Sequence, residues 1–228
     1  MAGTGSRLHA ARGTLPKPLI AIGGRPLISY AIDSFAEAGV ERLHVVVGAN
    51  GEALTNELRP LVEPRMKLNA ITNPDSQKQN GISVLKAAAM VAPPFFLAMG
   101  DHLFDTSILR SLIEEAEAES LNLAIDRKIA SIFDLDDAMK VQTRGDRVHR
   151  IGKTLSEYDA IDTGLFLCPG SLFDYLRRAL RDGDCSLADG VQLMAADGKV
   201  RAVDIGPDWW QDVDTPEMLA RAVQQLTR

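Results

Sequence analysis

The chain has 228 residues, of which 46% are hydrophobic, and a formal net charge of −6. These values are typical of one globular domain, which we expect to span residues 1–228, and the charge disfavours a nucleic-acid partner. No apolar stretch is as long as a membrane span, and the N-terminus lacks a secretory pattern. Cys168 and Cys185 form no metal-spaced pair, so we expect a cytoplasmic protein without a membrane segment.

Helical and strand patterns alternate through the first half of the chain. Helical spacing of apolar residues occurs at 26–38, 52–61, 82–91 and 106–118. Short runs typical of strands lie at 43–47, 67–72, 95–99 and 121–125, and the run at 95–99 is apolar enough to be a buried strand. This alternation predicts βαβ units and a largely parallel sheet with helices on both faces.

The pattern changes after Asp126. Strand patterns at 138–142, 148–152 and 163–168 follow one another without intervening helices. They predict an antiparallel extension of the sheet. Helical patterns at 172–180 and 216–226 flank a final strand pattern at 199–205. The predicted fold class is therefore α/β, a single three-layer, Rossmann-like domain with a mixed, mainly parallel sheet.

The N-terminal segment combines glycines with positive charge. It reads Ala2-Gly3-Thr4-Gly5-Ser6-Arg7, and no acid precedes Asp33 although Arg12, Lys17 and Arg25 add three further cations. Glycine-rich backbone can approach phosphate oxygens closely, and Arg7 and Lys17 could neutralise them. A flexible, basic N-terminal arm would have the same composition, so an anion site and such an arm are both open.

Two acidic clusters follow predicted strands. Asp101 comes directly after the strand pattern at 95–99, at the strand end where ligands bind in open α/β sheets. Asp212 and Asp214 follow the last strand pattern and precede Pro216. Carboxylates in such positions are candidate ligands of Mg²⁺. The alternatives are an N-cap or turn role for Asp101 and a helix-capping role for Asp214 or Thr215.

The order of these motifs resembles the GT-A-like nucleotidyltransferases that activate sugar phosphates, and within them the inositol-1-phosphate cytidylyltransferases. The glycine segment is followed by Pro16-Lys17-Pro18-Leu19, Gly100-Asp101-His102 and Trp210-Gln211-Asp212-Val213-Asp214-Thr215-Pro216. The resemblance also rests on Asp126-Arg127, Ala138-Met139-Lys140-Val141, Ile151-Gly152-Lys153 and Tyr158-Asp159-Ala160-Ile161-Asp162-Thr163-Gly164. These motifs span nearly the whole chain.

The resemblance implies a role for each matching position. Those expected to bind the nucleotide are Ala2, Gly3, Thr4, Gly5 and Ser6 at the phosphates and Asn80, Gly81 and Ser83 at the base. Those expected to bind the acceptor are Asp126, Lys140, Lys153 and Asp162. Arg7, Lys17 and Asp101 are the catalytic candidates, and Asp101, Asp212 and Asp214 are the Mg²⁺ candidates. Ion pairs between strands or surface charges are the alternatives for the acceptor group.

The resemblance implies an Mg²⁺-dependent enzyme that joins CTP to inositol 1-phosphate with loss of pyrophosphate. A phosphate monoester is already anionic near neutral pH, so the attacking oxygen needs no general base. The alternatives are another acceptor, such as phosphocholine, a phosphonate or a sugar 1-phosphate, and a non-catalytic nucleotide-binding protein. A homodimer is also compatible with the resemblance.

The resemblance further implies a first β-strand before the glycine segment, in the middle of the parallel sheet. Only Met1 and Ala2 precede Gly3 in this sequence. The first strand is therefore missing from this sequence, and we expect either that the native start lies upstream of Met1 or that the chain has lost this central element.

Overall fold

The computed structural model describes residues 15–227. Its helices, numbered along the described part, are α1 (Leu27–Glu37), α2 (Glu52–Leu58), α3 (Asn80–Lys86), α4 (Thr106–Glu114), α5 (Leu172–Ala179), α6 (Leu187–Ala196) and α7 (Pro216–Leu226). Its strands are β1 (Ala21–Ile22), β2 (Arg25–Pro26), β3 (Arg42–Gly48), β4 (Lys67–Asn73), β5 (Phe95–Ala98), β6 (His102–Phe104), β7 (Leu121–Asp126), β8 (Lys140–Arg144), β9 (Arg147–Gly152), β10 (Ala160–Cys168), β11 (Val200–Asp204) and β12 (Trp210–Asp212). No helix within this part is long and apolar enough to cross a membrane.

The strands form one large sheet and three pairs. The large sheet has six strands in the order β5-β10-β7-β11-β9-β8, and β3–β4, β6–β12 and β1–β2 form the pairs. Strands β3 and β4 are parallel, as are β7 and β11, whereas the other pairings of the large sheet are antiparallel. The sheet is mixed, as expected, but its described part is not mainly parallel. Strands β8, β9 and β10 follow one another without helices, which allows antiparallel neighbours.

Alternating side chains place a core on each face of the large sheet. Along β10, Phe166 and Cys168 pack with α5 and α6, whereas Leu165 and Leu167 pack with α1 and α4. Strands β7 and β11 divide their side chains between the same two cores. Because successive strand residues point to opposite faces, the sheet lies between two helical layers. The three-layer α/β class is confirmed.

Several predicted elements differ from the structure. Helix α4 ends at Glu114 rather than continuing to residue 118, because Glu117 binds Arg147 and Asn122 beyond it. Helix α3 begins at Asn80 and ends at Lys86, before the predicted end at 91. Helix α6 was not predicted. The capping box that begins it, Ser186 with Asp189, is the sequence signal that could have revealed it.

Strand β5 is half-buried rather than buried. It pairs with β10 on one side, and among residues 15–227 no strand pairs with its other side. A cavity of about 1020 Å³ lies there and is also lined by residues of β3. Residues 1–14 fall outside the described part of the chain. The missing first strand stays a prediction.

Candidate active site

A short antiparallel pairing brings the two acidic clusters together. Strands β6 and β12 pair with Asp212 opposite His102. Immediately beyond this pair, the Val213 N–H donates to the Asp101 carbonyl oxygen at 3.0 Å. Strands of three residues carry too little periodicity to be predicted, so this pairing is a result of the tertiary structure. It brings the segment that carries Asp101 beside the segment that carries Asp212 and Asp214.

The Lys17 ammonium lies within this acidic group. Its Nζ donates to Asp101 Oδ2 at 2.6 Å and also forms an ion pair with Asp214. Burial disfavours the charged lysine, but the two carboxylates outweigh burial and raise the pKa of Lys17. Asp214 is therefore not the cap of α7. Thr215 has that role, because its Oγ1 accepts a hydrogen bond from the Met218 N–H at 3.2 Å.

Asp101 lies in the turn before β6, and its carboxylate contacts two side chains. Its Oδ1 lies 2.8 Å from His102 Nδ1, and its Oδ2 accepts from Lys17. Burial alone would raise the pKa of Asp101, but the hydrogen bonds and positive charges of His102 and Lys17 hold it well below its usual range. Asp101 therefore stays ionised at any physiological pH. The turn position of Asp101 agrees with the turn alternative, and its catalytic role stays a prediction.

His102 lies between an aromatic ring and a glycine. Its imidazole stacks on the Trp210 indole, with 5.8 Å between ring centroids and an interplanar angle of 18°. On Gly164, which has a φ of +74°, a Cβ would lie 2.8 Å from His102 Nε2. Burial lowers the pKa of His102, but Asp101, Asp212 and Asp162 together raise it. His102 and Trp210 are not among the predicted site residues, although both lie in motifs that carry the resemblance.

Asp212 gives the acidic group surplus negative charge. Burial raises the pKa of Asp212, and the neighbouring carboxylates Asp214 and Asp101 raise it further, against the opposing charges of His102 and Lys17. Within residues 15–227, no group of three or more His, Cys, Asp or Glu side chains is arranged to hold a metal alone. Mg²⁺ in nucleotide sites usually takes one or two carboxylates together with substrate phosphates. Asp101 and Asp212 fit that donor set.

The acidic acceptor candidates lie around the start of β10. Asp126 is buried and opposite Ile161, and its carboxylate accepts from Trp210 Nε1 at 2.9 Å and from the Lys128 N–H at 2.7 Å. Asp162 accepts from the Gly164 N–H at 2.7 Å. Burial raises the pKa of Asp162 to about 6. Trp210 therefore connects Asp126 to His102, and the charge of Asp162 also acts on the same histidine.

The two lysine candidates have different surroundings. Lys140 is buried, and its ammonium donates to the Lys153 carbonyl at 2.9 Å and lies 5.7 Å from the centre of the Tyr158 ring. Lys153 is exposed, and its ammonium pairs with Asp137 at 2.5 Å. The ion-pair alternative therefore describes the present contacts of Lys153. The hydrogen bond from the Lys140 ammonium to the Lys153 carbonyl places both lysines at the open end of the β8–β9 hairpin, where β8 begins and β9 ends.

The three candidates for base recognition also have structural contacts. Asn80 Oδ1 accepts from the Leu187 N–H at 2.8 Å, and Ser83 Oγ accepts from Asn73 Nδ2 at 3.0 Å. A Cβ on Gly81 would lie 2.6 Å from the Cys185 carbonyl oxygen. Asn80 and Ser83 nevertheless line the same cavity as Lys17 and Asp101. Their predicted role at the base stays a prediction.

The remaining candidates belong to the N-terminal segment. Ala2, Gly3, Thr4, Gly5, Ser6 and Arg7 lie outside the described residues. Of the cations that suggested an anion site, Lys17 lies in the acidic group, whereas Arg25 pairs with Asp33 on α1. Among residues 15–227, the N-terminal cations Lys17 and Arg25 therefore form ion pairs at two separate places in the structure.

A lysine among several aspartates beside an α/β sheet is compatible with a site for phosphate groups and Mg²⁺. The chain belongs to the MobA-like NTP transferase domain family, whose model matches residues 1–183. The predicted family resemblance is thereby confirmed, and so is the prediction of an enzyme class.

Individual relatives agree with this assignment. The chain is 33% identical over 229 residues to a "Bifunctional IPC transferase and DIPP synthase" of Thermococcus kodakarensis, covering 100% of this chain and 49% of the relative. It is 28% identical over 227 residues to the protein of that name from Aquifex aeolicus, covering 99% and 50%. The chain thus spans about half the length of these relatives. It also matches the structure of the inositol-1-phosphate CTP transferase from T. maritima with a TM-score of 0.85 and 26% identity, covering 96% of this chain and 92% of that one.

Proposed function

We propose that this protein transfers a cytidylyl group from CTP to inositol 1-phosphate in the presence of Mg²⁺, which forms CDP-inositol and pyrophosphate. The observation that carries this proposal is the position of His102. It contacts Asp101, which pairs with Lys17, and it also stacks on Trp210 and interacts electrostatically with Asp162, one of the acceptor candidates. The names of the full-length relatives and of the T. maritima structure support this choice of substrates.

The reaction needs one bond formed and one bond broken. A phosphate oxygen of inositol 1-phosphate attacks the α-phosphorus of CTP, and the bond to the β-phosphate breaks as pyrophosphate leaves. That oxygen is already anionic, so no side chain must remove a proton. The site instead has to hold two anions in line and stabilise the charge that develops on the departing pyrophosphate.

The described residues can meet these needs. The carboxylates Asp101 and Asp214 fix the position of the Lys17 ammonium and keep it charged, so that it can offset triphosphate charge. Asp101 and Asp212 would hold Mg²⁺, which neutralises phosphate charge when it is bound. His102 fixes Asp101 through its Nδ1 and is itself fixed by Trp210. This arrangement supplies the preorganised charge that phosphoryl transfer requires.

On the acceptor side, the roles differ among the four candidates. The carboxylate of Asp162 is adjacent to His102 and suits contact with an acceptor hydroxyl. Asp126 already accepts from Trp210 and Lys128, so we assign it to orienting Trp210 rather than to direct contact. Lys140 and Lys153 would attract the acceptor phosphate from the edge of the β8–β9 hairpin. A cytoplasmic location and a homodimer stay predictions.

A substrate matrix tests the proposal. The protein is incubated with Mg²⁺, each of the four NTPs and each of five acceptor conditions, and pyrophosphate release is measured. The conditions are inositol 1-phosphate, phosphocholine, a phosphonate, glucose 1-phosphate and a no-acceptor blank. We expect CTP with inositol 1-phosphate to be the fastest pair. Faster turnover of glucose 1-phosphate with UTP would contradict the substrate assignment. No release with any pair would favour a non-catalytic nucleotide-binding protein.

Substitution of Asp101 tests the assignment of the site. Asp101→Asn keeps the side-chain volume but removes a charge that pairs with Lys17 and would contact Mg²⁺. Turnover should fall on the order of a hundredfold or more, as for loss of other electrostatic contacts in active sites. Asp208→Asn, outside the acidic group, is the matched control and should keep full activity. Wild-type turnover of Asp101→Asn at saturating Mg²⁺ would refute the catalytic role of Asp101.

A further inference from the structure

We propose that Asn73 determines which pyrimidine nucleotide this protein accepts, because its side-chain amide makes the Ser83 hydroxyl a hydrogen-bond donor towards the base. The inference rests on the proposed function and on the predicted place of Asn80 and Ser83 at the base of the NTP. It adds the group that selects CTP over UTP. Asn73 is the last residue of β4 and is fully buried, and none of the roles assigned above involves it.

The amide of Asn73 can have only one orientation. Its Oδ1 accepts from the Asp75 N–H at 2.9 Å, and a backbone N–H is always a donor, so the amide oxygen must face it. The Nδ2 group is thereby turned towards Ser83 Oγ, to which it donates at 3.0 Å. The contact with Asp75 is an Asx turn, in which only the oxygen of the amide takes part. The donation to Ser83 is therefore a separate feature that the turn does not require.

This donation fixes the direction of the Ser83 hydroxyl. A hydroxyl has one hydrogen and two lone pairs, and Nδ2 of Asn73 occupies one of the lone pairs. The hydroxyl hydrogen must then point away from Asn73, and within residues 15–227 it has no acceptor. Ser83 lines the large cavity together with Asn80. A ligand in this cavity therefore has to supply the acceptor.

Asn80 has the same polarity one helical turn earlier. Its Oδ1 accepts from the Leu187 N–H at 2.8 Å, so a backbone donor again fixes the amide oxygen. Its Nδ2 is left to donate to a ligand. Side chains three residues apart lie on the same face of a helix, and both Asn80 and Ser83 line the cavity. The site thus presents two neighbouring donors, each fixed through a backbone N–H.

Two neighbouring donors match cytosine and not uracil. The edge of cytosine carries two adjacent acceptors, O2 and N3, whereas uracil carries O2 beside an N3–H donor. With uracil, one donor of the protein would face this N3–H, and both groups would be left without a partner. A site that discriminates in this way combines a matched hydrogen bond for one ligand with an unpaired polar group against the other. The polarity that Asn73 imposes on Ser83 therefore favours CTP.

Asn73→Asp tests the inference because it reverses the polarity with little change in volume. The introduced carboxylate only accepts, so it keeps the Asp75 N–H and takes the hydrogen of Ser83, and these two hydrogen bonds favour its ionised form. Ser83 is then left with lone pairs alone, which suit the N3–H of uracil. The ratio of CTP affinity to UTP affinity, measured by equilibrium binding with Mg²⁺ and without acceptor, should fall about tenfold or more. The added negative charge weakens both nucleotides alike and cancels in this ratio.

Asn69→Asp is the matched control. Asn69 lies on the same strand, does not line the cavity and has no side-chain hydrogen bond in the described part of the chain. Its affinity ratio should equal that of the wild type. An unchanged ratio in Asn73→Asp, or an equal fall in Asn69→Asp, would overturn the inference and leave the proposed function standing if the wild type prefers CTP. A wild type that binds CTP and UTP equally would overturn both.

Ser83→Ala keeps the inference falsifiable if Asn73→Asp does not fold. It removes the hydroxyl without reversing its polarity, so the affinity for CTP should fall and the preference for CTP should narrow without turning into a preference for UTP. Pyrophosphate release should show the same change in the ratio of kcat/KM for the two nucleotides, with the KM for inositol 1-phosphate unchanged. An unchanged nucleotide ratio in Ser83→Ala would show that this hydroxyl does not select the base, which would overturn the inference.

Discussion

The Trp210 indole stacks on the His102 imidazole and donates its Nε1–H to Asp126 at 2.9 Å. Trp210 therefore contacts both Asp126, one of the acceptor candidates, and His102, which holds Asp101. An imidazole confined in this way keeps Asp101 in one orientation, and a displacement of about 1 Å in such a site can cost roughly a hundredfold in rate. Trp210 is thus a positioning residue in the proposed reaction.

Substitutions of Trp210 should lower kcat with little change in the KM for CTP. Trp210→Phe keeps an aromatic ring over His102 but loses the hydrogen bond to Asp126, so kcat should fall about tenfold, and Trp210→Ala should cost more. Trp209→Phe is the matched control because Trp209 packs in a different apolar cluster. Steady-state kinetics with CTP and acceptor varied separately measure the effect. A loss of equal size in Trp209→Phe would contradict a specific role for Trp210.

Gly164→Ala should displace His102. The added Cβ would lie 2.8 Å from His102 Nε2, and a φ of +74° is unfavourable for alanine. Gly198 has a φ of +70°, and a Cβ added there would meet no heavy atom within 4 Å, so Gly198→Ala shares the backbone strain without the contact. Both variants should lose about 1–2 kcal/mol of stability from the strain. Turnover of the folded protein should fall in Gly164→Ala and stay at the wild-type value in Gly198→Ala.

Lys153→Ala should weaken binding of the acceptor more than binding of CTP. The Lys153 side chain is 51% exposed, so its loss should leave the fold intact. A hydrogen bond to a charged group contributes about 1.5–3 kcal/mol, which predicts a rise of at least tenfold in the acceptor KM. Asp137→Ala removes the ion-pair partner but keeps the lysine, and should not raise that KM. An effect confined to the KM for CTP would contradict the assignment of Lys153.

The pH dependence of stability should reveal the buried charge of Asp162. Burial raises its pKa from 3.8 to about 6, so the native state binds the proton more tightly than the unfolded chain does. The free energy of unfolding therefore falls as pH rises through this window, by up to about 3 kcal/mol for a shift of this size. Asp162→Asn keeps an acceptor for the Gly164 N–H and removes this cost. Its thermal midpoint should equal that of the wild type near pH 4 and exceed it above pH 6.

Asp159→Asn provides a control of opposite sign. Burial raises the pKa of Asp159, but hydrogen bonds from Thr143 and Arg127 outweigh burial and lower it. Its carboxylate therefore stabilises the native state above the unfolded pKa, and this contribution disappears as pH falls through the lowered value. The variant should be less stable than the wild type at neutral pH and approach it in acid. A common pH trend in both variants would show that neither pKa shift controls stability.

Much of the helical layer could be predicted from local pattern. Apolar spacing predicted a helix at 26–38, and α1 spans Leu27–Glu37. The predicted strand at 121–125 lies within β7 (Leu121–Asp126), which is buried along its whole length. The predicted boundaries were wrong where a side-chain contact ended an element, as the contact between Glu117 and Arg147 does after α4. Such contacts join residues far apart in sequence, and periodicity does not report them.

The candidate site likewise contains residues that local pattern predicted and contacts that it did not predict. The residue types and their positions after predicted strands singled out Asp101, Asp212 and Asp214. The position of Lys17 between two of those aspartates joins residues that are 84 and 197 positions apart, so it depends on how the sheet is assembled. The stacking of His102 on Trp210 likewise requires the β6–β12 pairing.

The sequence by itself determined the class of this protein, because local periodicity and motif order reflect which faces are buried and which side chains end each strand. Only the tertiary structure decided that, among residues 15–227, β3 pairs with β4 and β5 pairs with β10, and that a histidine and a tryptophan connect the two halves of the site. The physical reason is that strand order and side-chain contacts depend on hydrogen bonds and packing between distant segments, to which no single segment's pattern is sensitive.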